Sequence, residues 1–341
     1  MKTGEPGISP ATQFWYHFPH VKIDIKTILK ATLSFGLLAF LFYRTDSESL
    51  VRVMASTNWL MLVPAAIILF STTLLQNLRW SIILRNFDLH VEYFRLFRIV
   101  LIGCFFNLFL PSSVGGDFFR AWYLGKHEKT GVSLAATTTL IDRISGLSAL
   151  MILGLFCSFF SHQSLGGVQL RVIFMAIFLV FMTGIVMFFH PVLHRVLERF
   201  LIKVKAVRIA GKLPPIYEGA ARFRKNIPDI ALTTGLSLVI QVISISSVWV
   251  AARAMNIDAP FLVFLIFVPL INIAVAVPLT INGVGLREGM YYLLFSSIGV
   301  PMEESITLSL VTMLLYVSMA LPGGFVYSVF KREENFSMDP R

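Results

Sequence analysis

Residues 107–120 read NLFLPSSVGGDFFR, and apolar sequence lies on both sides of them. A proline, two adjacent glycines, an acid and a base thus interrupt a run that otherwise has the composition of a membrane segment. Unpaired backbone groups cost several kcal/mol each in hydrocarbon, so an interrupted helix persists there only against protein or a wet cavity. The interruption beside Asp117 and Arg120 indicates a binding site within the membrane. A plain turn between two spans is the alternative.

The composition indicates a polytopic membrane protein. Of 341 residues, 56% are hydrophobic and 14% are charged, whereas soluble domains carry about 25% charged residues. The net charge of +10 does not indicate nucleic-acid binding, because cytoplasmic loops of membrane proteins collect lysine and arginine. The two cysteines and seven histidines show no metal-ligand spacing, so we expect no metal and no cofactor.

The apolar runs predict an all-α fold with about six full spans and two broken, re-entrant hairpins. The predicted spans are 32–43, 59–78, 133–160, 170–189, 230–252 and 305–330. The run 99–111 would be about 20 Å long as a helix, against the ~30 Å thickness of the hydrocarbon core, so it is expected to enter and return. The second hairpin, 261–298, can either re-enter or cross twice.

The basic residues predict the orientation. The basic loops 79–98 and 191–228 both belong on the cytoplasmic side, which requires that the first hairpin does not cross. With that choice, 23 of the 29 basic residues lie inside and 4 outside. We therefore expect a multi-pass protein of the plasma (cell inner) membrane with both termini cytoplasmic. Within 191–228, apolar residues on one helical face at 196–204 predict an interfacial helix, with a solvated linker as the alternative.

The two halves of the chain share an order of features. Residues 272–288 read NIAVAVPLTINGVGLRE, so both interruptions run from an asparagine through a proline and glycines to an acid and an arginine. The units 59–160 and 229–330 would start on opposite sides of the membrane. The basic segment 191–228 separates them in sequence, and residues 1–341 would form a single membrane domain. An inverted repeat with matched interruptions is typical of secondary transporters.

The candidate substrate-binding residues come from both interruptions and from an acid–base pair in the span between them. Prolines interrupt a helix, glycines let a ligand approach the backbone, and a restarting helix offers N–H groups to an anion. Arginines add bidentate bonds to phosphate. The candidates are Asn107, Pro111, Gly115, Gly116, Asp117, Arg120, Asp142, Arg143, Asn272, Pro278, Thr280, Asn282, Gly283, Gly285, Arg287 and Glu288.

Each charged candidate also has a structural interpretation. Asp142 and Arg143 could hold two helices together as a buried pair, and Asp117 could pair with Arg120 or Arg143. The Arg287-Glu288 pair could mark a helix end at the interface. Arg79 is expected to anchor its span at the interface and is only a minor candidate.

Three motifs in order resemble the flippase-like membrane domain of lysylphosphatidylglycerol synthases. They are N-x-x-x-P…G-G-D-x-x-R at 107–120, D-R-x-x-G at 142–146 and P-x-T…G-x-G-x-R-E at 278–288. The resemblance covers about 27–330 and is specific for the family but not for a substrate. In bifunctional members this domain moves an aminoacylated lipid that a soluble domain makes. The resemblance therefore implies a stand-alone member without the synthase domain and without aminoacyl transfer.

The leading hypothesis is a flippase-like lipid translocase and not an enzyme. It would move a phospholipid, an aminoacylated lipid or a polyprenyl-phosphate-linked lipid between leaflets, with the headgroup bound between the two interruptions. The alternative is a non-transporting membrane subunit that presents lipid to a glycosyltransferase or aminoacyltransferase. A small-solute exporter is a third possibility. The expected partners are membrane lipids and such a lipid-modifying transferase, not nucleic acid; oligomerisation is left open.

Overall fold

The structure is a computed structural model that describes residues 25–109, 115–127, 131–189, 213–277 and 279–337, and its regular elements are almost all helical. The helices before residue 190 are α1 (Ile25–Arg44), α2 (Ser47–Ser56), α3 (Leu62–Arg85), α4 (Tyr93–Phe109), α5 (Gly115–His127), α6 (Val132–Ser158) and α7 (Leu170–Phe189). Those after residue 212 are α8 (Leu213–Arg224), α9 (Ile227–Ala254), α10 (Phe261–Ala276), α11 (Leu286–Ser296) and α12 (Met302–Ser337). A 3-10 turn (Trp59–Met61) precedes α3, and a hairpin of β1 (Ser164–Leu165) and β2 (Val168–Gln169) precedes α7.

Five of the described helices are long and apolar enough to cross a membrane. They are Trp59–Arg85, Val132–Ser158, Leu170–Met187, Ile227–Ala254 and Met302–Val329. Each overlaps one of the predicted spans, so the polytopic all-α class is confirmed. The first predicted span, 32–43, lies within the 20-residue helix α1, which is not among these five. The count of six therefore stays a prediction.

Four shorter helices flank the two interruptions. α4 and α5 have 17 and 13 residues, and α10 and α11 have 16 and 11 residues. At about 1.5 Å per residue, none of them reaches the ~30 Å of a hydrocarbon core. Each half of the chain therefore runs from a long helix through two short helices to a second long helix. Whether these short pairs re-enter the membrane stays a prediction.

The helices of the two halves pack against each other reciprocally. α3 and α9, which begin the two halves, lie in contact. α4 packs against α12, and α10 packs against α6, so the first short helix of each half contacts the last long helix of the other. A pair of repeats related by a two-fold axis produces this exchange of contacts. The repeat itself and the opposite orientation of its units stay predictions.

Two clusters of buried side chains hold these layers together. One lies around Trp80 and Phe119 and contains residues of α3, α4, α5, α6 and α8. The other lies around Phe264 and Phe295 and contains residues of α9 to α12 together with residues of α3, α6 and α7. Because lipid tails are as apolar as leucine, close packing rather than transfer from water must favour helix contacts in a membrane. Gly323 of α12 permits one such contact, since a Cβ atom there would collide with the Leu101 carbonyl of α4.

Two regions contain helices outside the predicted spans. The stretch between the predicted spans 32–43 and 59–78 contains α2, where the Asp46 carboxylate accepts from the Ser49 N–H at 3.1 Å. This N-cap stabilises a helix too short and too polar for hydropathy to reveal. The basic segment 191–228 contains α8 and the start of α9. The interfacial helix predicted at 196–204 lies outside the described residues.

Candidate functional site

A side chain of α4 forms a hydrogen bond across the first interruption. Asn107 Oδ1 accepts a hydrogen bond from the Gly116 N–H at 2.8 Å, which satisfies one of the amides that a helix start leaves unpaired. A Cβ atom at Gly116 would collide with the carbonyl oxygen of Gly103, so this glycine lets α5 touch α4. The Gly116 amide is therefore bonded within the chain, and anion binding by the N–H groups of a helix that restarts after Gly116 stays a prediction. Gly115 is buried at the start of α5, and Pro111 lies outside the described residues.

Asp142 of α6 is the centre of a buried group of ion pairs. Its Oδ1 accepts from Arg79 Nε at 2.8 Å, and its Oδ2 accepts from Nη1 and Nη2 of Arg120, each at 3.3 Å. The three residues are 3%, 6% and 7% exposed, respectively. One charge at the bilayer centre costs about 2.5–3.5 kcal/mol on insertion scales, so charges buried in a membrane protein need partners. Here they are each other's partners.

Asp117 adds a further arginine to this group. Its Oδ1 lies 3.5 Å from Arg120 Nη1, and its Oδ2 accepts from Arg143 Nε. Both partners that the sequence allowed for Asp117 are therefore used. The five side chains alternate in sign as Arg79, Asp142, Arg120, Asp117 and Arg143. Three guanidinium groups face two carboxylates, so these five side chains together carry one positive charge in excess, which favours an anionic ligand.

Arg120 is fixed by more than its ion pairs. Its guanidinium carbon lies 4.0 Å from the centre of the Trp80 ring, in a cation–π contact. Its Nε is buried and forms no hydrogen bond with the residues that the structure describes. Leaving a buried donor unsatisfied costs about 1–3 kcal/mol, more when the group is charged. An acceptor on a ligand would remove that cost.

The five charged side chains line a cavity of about 270 Å³, which we call the charged cavity. Its wall is formed by α3, α4, α5 and α6 of the first half and by α9 of the second. Arg79 Nη1 donates to Ser237 Oγ of α9 at 2.8 Å, and Gln241 Nε2 of α9 donates to the Gly146 carbonyl at 3.4 Å. The charged cavity therefore lies where the two halves meet.

The second interruption has an ion pair of its own. Glu288 is 2% exposed; its Oε2 accepts from the Gly285 N–H at 2.7 Å, and its Oε1 accepts from Arg287 Nη2 at 2.8 Å and Ser309 Oγ at 3.1 Å. The Gly285 amide, like that of Gly116, is thus bonded within the chain. Gly285 has a φ of 82°, and a Cβ atom there would lie 2.7 Å from that of Leu37 on α1.

The two interruptions contact each other through Asn282. Its Nδ2 donates to the carbonyl oxygens of Leu108 at 3.1 Å and Asn107 at 3.4 Å. These carbonyls belong to the last turn of α4, where a helix leaves its acceptors unpaired. Asn282 has a φ of 51°, in the left-handed region that asparagine adopts more readily than most residues.

Arg287 lines a second cavity, of about 480 Å³. Gln76, Cys104 and Asn107 belong to the walls of both cavities. The structure thus brings the two interruptions together as predicted, but Arg120 and Arg287 line neighbouring cavities. A single pocket lined by both arginines, which the sequence suggested, is not what the described residues form.

The remaining candidates of the second interruption are Thr280, Gly283, Asn272 and Pro278. Thr280 is 6% exposed, and its hydroxyl forms no hydrogen bond with the described residues. Gly283 has no room for a side chain, since a Cβ atom there would collide with Val275. Asn272 is partly buried on α10 and is not among the described residues that line either cavity. Pro278 lies outside the described residues.

The sequence predictions misjudged Arg79 and did not include Ser237 and Gln241 of α9. Arg79 was predicted to be an interface anchor, because it directly follows an apolar run. This was wrong, since α3 continues to Arg85 and Arg79 is 6% exposed. Ser237 and Gln241 lie four residues apart in α9. That spacing puts two polar side chains on one helical face and could have indicated a polar contact.

Comparisons with known proteins agree on one family. The family model described as "Lysylphosphatidylglycerol synthase TM region" matches residues 27–324. UPF0104 membrane proteins of Methanothermobacter thermautotrophicus and Archaeoglobus fulgidus are 25% and 24% identical, over 74% and 78% of this chain and 79% and 85% of their own lengths. A UPF0104 membrane protein of Methanocaldococcus jannaschii is 28% identical over 137 residues, which are 40% of each chain. No solved structure matches the chain significantly.

Proposed function

The chain belongs to the family of the lysylphosphatidylglycerol synthase TM region, and we propose that it moves a phosphate-bearing membrane lipid between leaflets. The headgroup binds in the charged cavity while the acyl chains stay in the bilayer. The observation that carries this proposal is the set of three arginines and two aspartates around a cavity where the two halves meet. Membrane-embedded ionisable residues usually mark a substrate path.

The net charge of the five side chains matches that of one phosphodiester. A phosphodiester carries a single negative charge, which equals the positive excess of the five side chains. Guanidinium groups bind phosphate oxygens through paired, charge-assisted hydrogen bonds. In this proposal Asp117 and Asp142 hold the arginines in place, and Arg120 Nε gains the acceptor that it lacks among the described residues.

The position of the charged cavity between the two halves suggests how a bound headgroup could be moved across the membrane. In transporters built from repeats, one half rocks against the other around a fixed site at their interface. The contacts of Ser237 and Gln241 with the charged cavity cross that interface here. A relative movement of α3 and α9 would therefore change the hydrogen bonds of Arg79. We place both termini in the cytoplasm and the two units in opposite orientations, as the basic residues indicate.

Reconstituted liposomes test the proposal. The assay follows fluorescent phosphatidylglycerol, an aminoacylated phosphatidylglycerol and a polyprenyl phosphate as they reach the outer leaflet, where a membrane-impermeant quencher removes their signal. We expect transport of at least one of these lipids. Arg143→Gln should slow it about tenfold, the effect of losing ~1.4 kcal/mol of charge-assisted bonding.

The control variant is Arg253→Gln, because Arg253 is an exposed arginine that pairs with Asp258 away from the cavity. It should transport at the wild-type rate. Folded protein that moves none of the three lipids would contradict the proposal. If it then co-purified with a lipid-modifying transferase, the protein would be a subunit that presents lipid to that enzyme.

A further inference from the structure

A groove of about 590 Å³ lies on the far side of α6 from the charged cavity, between α6, α7, α8 and α9. Asp142 and Gly146 of α6 line the charged cavity, whereas Ile141, Ile144 and Ser148 line the groove. With about 3.6 residues per turn, these two sets lie on opposite faces of α6. One helix therefore separates the groove, which we call the α6–α9 groove, from the charged cavity.

Most of the groove is apolar, and one basic residue belongs to its wall. Ile144, Ile185 and Val186 contribute branched aliphatic side chains from α6 and α7. Arg224 contributes a guanidinium group from the last turn of α8. Because Arg224 is exposed, it lies where the groove meets its surroundings. A guanidinium group at the mouth of an apolar groove complements an amphiphile with an anionic head.

Two hydroxyl groups in the groove differ from neighbouring hydroxyls in their hydrogen bonding. Serine and threonine in a helix commonly donate to a carbonyl three or four residues earlier, as Ser145 and Thr233 do here. Ser148 and Thr234 line the groove, and the described residues offer neither of them a hydrogen bond. These hydroxyls are therefore donors available to a molecule in the groove.

We propose that the α6–α9 groove is a binding site for a membrane phospholipid. The groove offers a group for each part of such a molecule: aliphatic side chains for an acyl chain, the hydroxyls of Ser148 and Thr234 for ester oxygens, and Arg224 for the phosphate. A volume of about 590 Å³ is that of an ordinary small-ligand pocket, so the groove holds part of the lipid while the rest stays in the bilayer. This site is independent of transport through the charged cavity.

Photolabelling tests the site in the full-length protein in nanodiscs. The probe is phosphatidylglycerol with a diazirine in one acyl chain, and mass spectrometry locates the labelled peptides. We expect label in the α6 and α9 peptides that contain Ser148 and Thr234. Ser148→Trp fills the groove and should abolish this label. The matched control is Val180→Trp, at a position of α7 that is 74% exposed, and it should leave the label unchanged.

Two smaller substitutions test the site in case Ser148→Trp prevents folding. Arg224→Gln changes an exposed side chain, and Thr234→Val keeps the shape of the side chain but removes the hydroxyl. Both should reduce the phosphatidylglycerol that the protein retains in native mass spectrometry. Label spread evenly over exposed helix faces, or label that Ser148→Trp does not alter, would overturn the proposal. Absence of label from both peptides would also overturn it, because the acyl chain of the probe would then not lie in the groove.

Discussion

Arg79 of α3 and Asp142 of α6 form a buried ion pair, with Nε and Oδ1 2.8 Å apart and both side chains less than 10% exposed. Arg79 also donates to Ser237 of α9, and Asp142 also accepts from Arg120 of α5. A single ion pair thus connects four helices that belong to both halves of the chain. The charged cavity depends on this pair for its shape and for its balance of charge.

Replacing Asp142 with asparagine should destabilise the protein strongly. Arg79 and Arg120 would lose their shared carboxylate while staying buried, and breaking a buried pair in this way costs about 3–5 kcal/mol. Thermal unfolding in detergent measures the effect. Asp258→Asn is the control, because that aspartate is 90% exposed and pairs with Arg253, and exposed pairs contribute little. Equal stability of the two variants would contradict the role of Asp142.

Replacing Arg143 with glutamine should weaken lipid binding and leave the fold intact. Asp117 keeps Arg120 as a partner, and the Arg143 side chain is already 34% exposed. The five-residue group would lose its excess positive charge together with one phosphate donor, which corresponds to about tenfold weaker binding of an anionic lipid. Titration with phosphatidylglycerol measures this affinity, and Arg143→Lys should recover part of it. Unchanged affinity in the glutamine variant would speak against an anion site.

Replacing Gly116 with alanine should force α4 and α5 apart. The new Cβ atom would collide with the backbone of Gly103, which cannot rotate away as a side chain can. Overpacking of this kind costs about 1–3 kcal/mol. Gly184→Ala is the matched control, because Gly184 lies in α7 with nothing within 4 Å of its added Cβ, and alanine there should be neutral or stabilising. A thermal shift that is the same for both variants would show that the close approach has no role.

Two substitutions of Asn282 should separate its hydrogen bonds from its backbone conformation. Asn282→Gly and Asn282→Ala both remove the bonds to Leu108 and Asn107. Alanine alone is strained at a φ of 51°, so we expect it to be about 1 kcal/mol less stable than glycine. Unfolding free energies of both variants decide this. An alanine variant as stable as the glycine variant would mean that the turn has relaxed to another conformation.

Hydropathy predicted most of the helices, because length and apolar composition are local properties. The run 170–189 and α7 (Leu170–Phe189) coincide, and 230–252 lies within α9. α2 was missed because a ten-residue polar helix carries no such pattern. Its Asp46 cap could have been recognised in the sequence, but many aspartates in loops have the same neighbours.

The candidate site was predictable in its residue types but not in its pairings. Asp117, Arg120, Asp142 and Arg143 were all identified, since charges within apolar runs are rare and costly. Which carboxylate meets which guanidinium depends on how α3, α5 and α6 pack, and no single stretch of sequence contains that information. Arg79 shows this most clearly, because its role follows from a contact with Asp142, 63 residues away.

The most direct test of headgroup binding is an experimental structure of the protein in nanodiscs that contain phosphatidylglycerol. We expect density for a lipid phosphate in the charged cavity, within hydrogen-bonding distance of Arg120 and Arg143. Arg120 Nε should then have an acceptor. The proposed function would be contradicted if the charged cavity held only water while lipid phosphates lay only on the outer surface. In that case the ion pairs of Asp117 and Asp142 would be the same as those described above.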